Sequence, residues 1–149
     1  MPQNTHHKLK HTEFWTYKTV FLADQISKFT RSIARETADL NLSQWRVLAA
    51  VAEKPGGTAA DIASITPMDK TIVSRAVHSL ITLGLIEKST DTRDKRCTTL
   101  HATKNGNGVY EKIANKITAA LQPSITKDAK TEQFLDLLND FIERMDNTK

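Results

Sequence analysis

The sequence predicts a mainly α fold of about six helices, with a two-stranded β-hairpin inserted before the fifth. Three observations predict it. Apolar residues recur at steps of three and four over most of the chain, the period of an amphipathic helix. Pro55-Gly56-Gly57, Thr66-Pro67, Gly84 and Gln122-Pro123-Ser124 punctuate that pattern as turn and break signals. One stretch departs from the helical period and reads as two short strands around a charged connection.

Phe14, Tyr17, Phe21, Leu22, Ile26, Phe29 and Ile33 make a first helix of about seven turns, long for a globular protein. It stops around Asp39-Leu40-Asn41. Ser43 is expected to cap a second helix running through about Ala52, with Trp45, Leu48, Ala49 and Ala52 on one side. Thr58 starts a short third helix, and Asp61 stands where a capping box places its acid. Ile62 and Ile65 are its expected buried pair. Thr66 precedes a proline and so leaves the helical region. In the fourth helix Ile72, Val73, Ala76, Val77, Leu80 and Ile81 form the apolar stripe, and Gly84 supplies a left-handed end.

Leu85–Lys88 and Cys97–His101 are the expected strands. The hairpin tip between them carries Asp91, Arg93, Asp94, Lys95 and Arg96 and is too costly to bury. Thr103 caps the fifth helix, which keeps its period at Val109, Ile113, Ile117 and Leu121; Gly106 and Gly108 are expected to weaken its first turn. The last helix runs from about Thr126 or Thr131 to Asp146. Phe134, Leu138, Phe141, Ile142 and Met145 form its stripe, with Leu135 and Leu137 beside it.

Composition narrows the function. A chain of 149 residues with 39% hydrophobic and 26% charged residues suits one compact domain. No apolar run reaches the length of a membrane-spanning helix, and Met1–His11 is polar, so neither a membrane span nor a signal peptide is expected. A single cysteine, Cys97, excludes an internal disulfide framework and a Cys-rich zinc site, and fits a reducing cytoplasm. Cys97 reads as a small filler rather than a redox sensor. An enzyme finds no support: His78 and His101 have no evident nucleophile or acid partner, and no glycine loop cradles a phosphate. No cofactor is expected. His6, His7 and His11, with Lys8 and Lys10, lack an accompanying acid or thiol; they read as a basic arm attracting phosphates rather than a metal site.

The net charge of +4 is unevenly placed. Residues 1–38 and residues 69–104 each carry +3, whereas 39–68 and 105–149 each carry −1. Such placement fits an anionic partner docking on a defined face. Helix, tight turn, helix and hairpin from Thr58 to His101 make a winged helix-turn-helix. The apolar stripe of the fourth helix packs it down. Its other side offers Lys70, Thr71, Ser74, Arg75 and His78, with no acid between Lys70 and Ile86. A face of small hydroxyls and one arginine suits the major groove of double-stranded DNA, where Arg reads guanine and Ser or Thr serve as tolerant partners. The competing reading is a winged-helix adaptor that binds another protein.

The segment LSQWRVLAAV, Leu42–Val51, resembles the second helix of the multiple-antibiotic-resistance regulator (MarR) family. TAADIASITPMDKTIVSRAVHSLITLGLIEKS, Thr58–Ser89, resembles the family's recognition unit, and DTRDKRCTTLHATKNG, Asp91–Gly106, its wing and the start of the following helix. The resemblance implies a transcription regulator, expected to be a repressor, working as a homodimer whose first and last two helices interleave. It implies a basic N-terminal arm over residues 1–12, a helical dimerisation region over 13–38 and 105–149, and a DNA-binding domain over 39–104. Residue pattern agrees on the dimer, because the terminal helices are more apolar than a monomer of this size can cover. Two-fold symmetry then calls for a pseudo-palindromic operator.

The family's wing motif of Asp, any residue, Arg is matched by Asp94-Lys95-Arg96 and repeated in Asp91-Thr92-Arg93. By resemblance Arg96 would enter the minor groove with Asp94 orienting it; Arg93 is the alternative. Narrow A·T-rich minor grooves attract arginine. The resemblance further implies an inducer pocket where the first, second and fifth helices meet. Trp15, Tyr17, Phe21, Trp45 and Arg46 are its expected lining, suited to a small aromatic acid.

Overall fold

The structure is a computed structural model and describes residues 14–90, 98–121 and 128–147. Its elements run α1 (Trp15–Ala38), α2 (Leu42–Glu53), α3 (Ala59–Ile65), α4 (Lys70–Thr82), β1 (Ile86–Thr90), β2 (Thr98–Ala102), α5 (Lys104–Leu121) and α6 (Ala129–Asp146). The mainly α winged-helix architecture expected from the sequence is therefore present. The chain forms two compact units, Met1–Ile113 and Ala114–Lys149.

In the first unit the core gathers on α2. Val47, Leu48 and Val51 are completely buried, with Leu40, Ile62, Val73, Leu80, Ile86, Leu100 and Ile113 packed around them. The α2 helix packs against α1, α3, α4 and β2, so it is apolar on nearly every side rather than along one stripe. Its cap is Asn41, not Ser43. The Asn41 side chain accepts the Gln44 backbone N–H at 2.9 Å, and the Gln44 side chain accepts the Asn41 N–H at 2.8 Å. This reciprocal box satisfies two orphan donors, which Ser43, one residue inside the helix, cannot do. Ahead of it, α1 ends on Asp39 in the left-handed region, φ 53°, with its N–H bonded back to Ala34 and Arg35 carbonyls.

The α3 box is formed as expected: Thr58 Oγ1 accepts the Asp61 N–H at 3.2 Å, while Asp61 Oδ2 accepts from the Thr58 N–H and hydroxyl. Ile62 is buried, but Ile65 is 53% exposed. Three residues on, its side chain is turned about 60° from Ile62, and α3 is only seven residues long. Thr66 is extended before Pro67, and Val73 N–H bonded to Asp69 O opens the next helix. In α4, Val73, Ala76, Val77 and Leu80 are buried; Ile72, expected in that stripe, is exposed at its edge. Gly84 ends the helix at φ +66°.

Strands β1 and β2 pair antiparallel from Ile86↔Ala102 to Thr90↔Thr98. A third piece of backbone joins them: Gly56 N–H donates to Leu100 O at 3.0 Å and Leu100 N–H to Gly57 O at 2.9 Å. Thr103 caps α5 as expected, accepting the Gly106 N–H at 3.0 Å while donating to Gly84 O at 2.7 Å. Gly106 is not a weak spot in that turn. A Cβ there would stand 1.9 Å from the Leu85 carbonyl oxygen, so glycine is what lets α5 lie against the backbone ahead of β1.

In the second unit α6 starts on Asp128, whose side chain accepts the Thr131 N–H at 2.9 Å. None of its residues is buried, and Phe134, Leu135, Leu137, Phe141, Ile142 and Met145 are exposed large apolar side chains. In the first unit α1 carries a like set: Val20, Phe21, Leu22 and Ile26 are exposed.

Candidate nucleic-acid interface

The outer face of α4 is built by the helix period. Lys70, Thr71, Ser74, Arg75 and His78 follow one another at alternating steps of one and three, and all five are exposed. The steps that turn these five outward turn Val73, Ala76, Val77 and Leu80 inward. No carboxylate lies on α4, and its helix cap, Asp69, makes no side-chain capping bond. The face therefore presents a lysine, an arginine, an imidazole and two hydroxyls without an internal anion to neutralise them.

A hydrogen bond that sequence reasoning missed braces this helix. Gln44, already closing the α2 box through Oε1, donates from Nε2 to Ser79 Oγ at 2.7 Å. Both ends of one carboxamide are committed, one to the start of α2 and one to α4. The spacing Asn41-x-x-Gln44, an N-cap followed three residues later by Gln, signals the α2 box, but no local pattern signals the bond to Ser79. A cleft of about 350 Å³ runs beside this brace, with Asn41, Ser43 and Gln44 on one wall and Ile72, Arg75 and Ser79 on the other.

The α3 start that precedes the turn is held electrostatically. Hydrogen bonds from the Thr58 backbone and hydroxyl keep the Asp61 carboxyl below its ordinary value, with Lys54 adding to the effect. On β2, Thr99 Oγ1 lies 3.1 Å from His101 Nε2 and donates to Ser89 O at 3.1 Å. The wing residues Arg93, Asp94, Lys95, Arg96 and Cys97 lie outside the described residues, as do His6, His7 and His11. Among the described residues no group of His, Cys, Asp and Glu is arranged to hold a metal, and no helix is long and apolar enough to cross a membrane.

The residues expected to line an inducer pocket are not gathered into one constellation. Trp45 is buried and stacks on Tyr110, with ring centroids 5.9 Å apart. The Arg46 guanidinium donates to Ser27 Oγ on α1 at 3.1 Å. Trp15, Tyr17 and Phe21 are exposed on the N-terminal half of α1. Twelve positions of helix separate Trp15 from Ser27, about 18 Å at ~1.5 Å per residue. Trp15 and Trp45 of one chain therefore do not sandwich a ring held by Arg46.

Comparison with known proteins agrees with the architecture. Residues 38–96 match the model described as MarR family. The uncharacterized HTH-type transcriptional regulator YybA of Bacillus subtilis (strain 168) is 32% identical over 72 residues, 48% of this chain and 48% of that protein. The chain thus matches about half the length of this curated relative. Among solved structures, a MarR/EmrR family transcriptional regulator from Acinetobacter sp. ADP1 superposes with a TM-score of 0.79 at 22% identity, covering 89% of this chain and 94% of that one. A chain from Listeria monocytogenes described as a MarR family transcriptional regulator and solved with 26mer DNA gives a TM-score of 0.79 at 22% identity, covering 91% of each. The resemblance to the MarR family is borne out, by sequence over residues 38–96 and by fold over most of the chain.

Proposed function

On that likeness we propose that this chain is a sequence-specific regulator of transcription that binds double-stranded DNA as a homodimer, acting as a repressor at a pseudo-palindromic operator. One observation carries the reading: α4 buries one stripe and exposes Lys70, Thr71, Ser74, Arg75 and His78 on the other, with no acid among them. That face has the chemistry of a helix that enters a major groove. Arg93, Asp94, Lys95 and Arg96 supply the second reading element, at the wing. The exposed apolar side chains of α1 and α6 support the homodimer, since surfaces of that kind mark interfaces. Control by a small aromatic acid belongs to the same reading, and its support is the family likeness alone.

Selection of bound sequences from random duplexes tests the proposal. The expected product is two inverted half-sites with centres about one helical turn apart. Affinity for random duplex should fall steeply with salt, because neutralised phosphates release counterions. A chain that enriches no sequence and binds no duplex at any salt is a protein-binding winged helix instead.

A further inference from the structure

Between α4 and the hairpin lies a cleft of about 250 Å³, where Ser74 and His78 of the outer α4 face meet wing residues that have no role above. Strand alternation builds one wall. Ile86 is buried, so Lys88, two residues on, stands on the same, helix-facing side of β1. Across the antiparallel pair Lys88 meets Leu100, and Thr90 meets Thr98. Ser74 and His78, one helical turn apart on α4, make the opposite wall. Val77 and Leu100 are its buried apolar floor. Glu87 and Ser89 alternate onto the other side of the strand, and no carboxylate lines the cleft. Among the described residues, no acid pairs with the Lys88 ammonium.

One ammonium, one imidazole and two hydroxyls thus converge on a space with room for several waters. Each of these groups can donate a hydrogen bond, and Lys88 adds a formal positive charge. The set suits a phosphate oxygen better than a base edge, because a flexible lysine acts as a point charge without the fork that reads guanine.

We infer that this cleft seats one backbone phosphodiester of the bound DNA, held by Lys88 and Thr98 from the wing and by Ser74 and His78 from α4. The inference rests on the DNA-binding reading above and adds two residues to it. A phosphate held there ties the base of the wing and the reading helix to the same stretch of backbone. Phosphate contacts of this kind fix register without carrying sequence information.

The test compares wild type with Lys88→Gln and Thr98→Val on the selected operator and on random duplex across a salt series. Lys130→Gln on α6 serves as the control. Lys88→Gln removes one phosphate contact from each protomer of the bound dimer and should lower the slope of log affinity against log salt by about 1.8. At 0.15 M salt that corresponds to about thirtyfold weaker binding by the dimer, alike on both duplexes. Thr98→Val should weaken both duplexes alike with the slope kept, and Lys130→Gln should change neither affinity nor slope. A scan of single neutral methylphosphonates through the operator adds the direct readout. One position per half-site should weaken wild type clearly more than it weakens Lys88→Gln. An unchanged slope in Lys88→Gln, or losses that simply add at every methylphosphonate, overturns the cleft while leaving the DNA reading intact. Failure of wild type to bind any duplex overturns the DNA reading itself, and the cleft with it.

Discussion

Tyr110 of α5 lies nearly flat on Trp45 of α2, ring centroids 5.9 Å and planes 16° apart, and its hydroxyl donates to Glu53 at 2.9 Å. One side chain thus joins the two helices by a stacked face and by a charge-assisted hydrogen bond. The bond to Glu53 holds the phenol above its ordinary value, with burial and the negative charge of Glu53 acting the same way.

That raised value has a sign. A phenol favoured in its protonated form stabilises the fold fully below about pH 10, and the contribution is lost as pH climbs through the folded value. In an alkaline absorbance titration Tyr110 should titrate above a tyrosine in a short reference peptide. Glu53→Gln should bring it back toward the ordinary value of about 10, and Tyr110→Phe should delete the transition. A Tyr110 that titrates the same in wild type and in Glu53→Gln would mean the hydrogen bond is not formed in solution.

The α3 box behaves oppositely with pH. Asp61 is depressed, so its contribution is present above the ordinary carboxylate value and disappears as pH falls through the lower folded one. Thr58→Ala should cost about 1 kcal/mol near neutrality, as loss of an N-cap does. Asp61→Asn should destabilise at neutral pH, and the gap from wild type should narrow in the acid range. A constant gap from neutral to strongly acid pH in denaturant melts would show that the carboxylate charge is not what matters.

Two glycines of the same helical turn should respond with opposite signs. Gly106→Ala meets the Leu85 carbonyl and should destabilise by about 1–3 kcal/mol or more, the range of overpacking. Gly108 has open space at its Cβ position, so Gly108→Ala should stabilise by about 0.5–1 kcal/mol through helix propensity alone. Thermal melts decide it; a stabilising Gly106→Ala would remove the close approach of α5 to Leu85.

Base reading and groove reading are separable. Arg75→Ala should cost about 1–3 kcal/mol per half-site and relax preference at one position in each. Equal losses on random duplex would make Arg75 a phosphate contact. Arg96→Ala should weaken sites with A·T-rich flanks more than sites with G·C-rich ones. Indifference to the flanks would remove the wing from the minor groove.

The dimer is tested on α6. Leu138→Asp with Phe141→Asp should give monomer or unfolded chain in sedimentation, and the wild-type melting temperature should rise with protein concentration. A double variant that sediments as a stable dimer would send the interface elsewhere.

Local signals explain which parts of this molecule are readable in its sequence. Helix period, Thr66-Pro67 and Gly84 place α4, and with it the outward set from Lys70 to His78. Asn41 and Ser43 are both good caps by residue type, and only the Gln44 carboxamide, bonded both to Asn41 and to Ser79, decides between them. Gly106 reads as a weak helix former by propensity, yet its place is set by Leu85, a neighbour twenty-one positions away in the chain. The same holds for Arg46, whose partner Ser27 belongs to another helix. Period and punctuation carry local structure; the partner across a packing interface leaves no such mark in the sequence.

The backbone bonds from Gly56 and Gly57 to Leu100 also bear on how this protein survives being concentrated. A two-stranded ribbon exposes two rows of unpaired amides and carbonyls, and such rows template association between molecules. Here the outer row of β2 is occupied at its middle by the protein's own loop. A neighbouring ribbon cannot add to that side without first prising the loop away, so the hairpin can project toward a partner without its β2 edge recruiting another copy into a fibre.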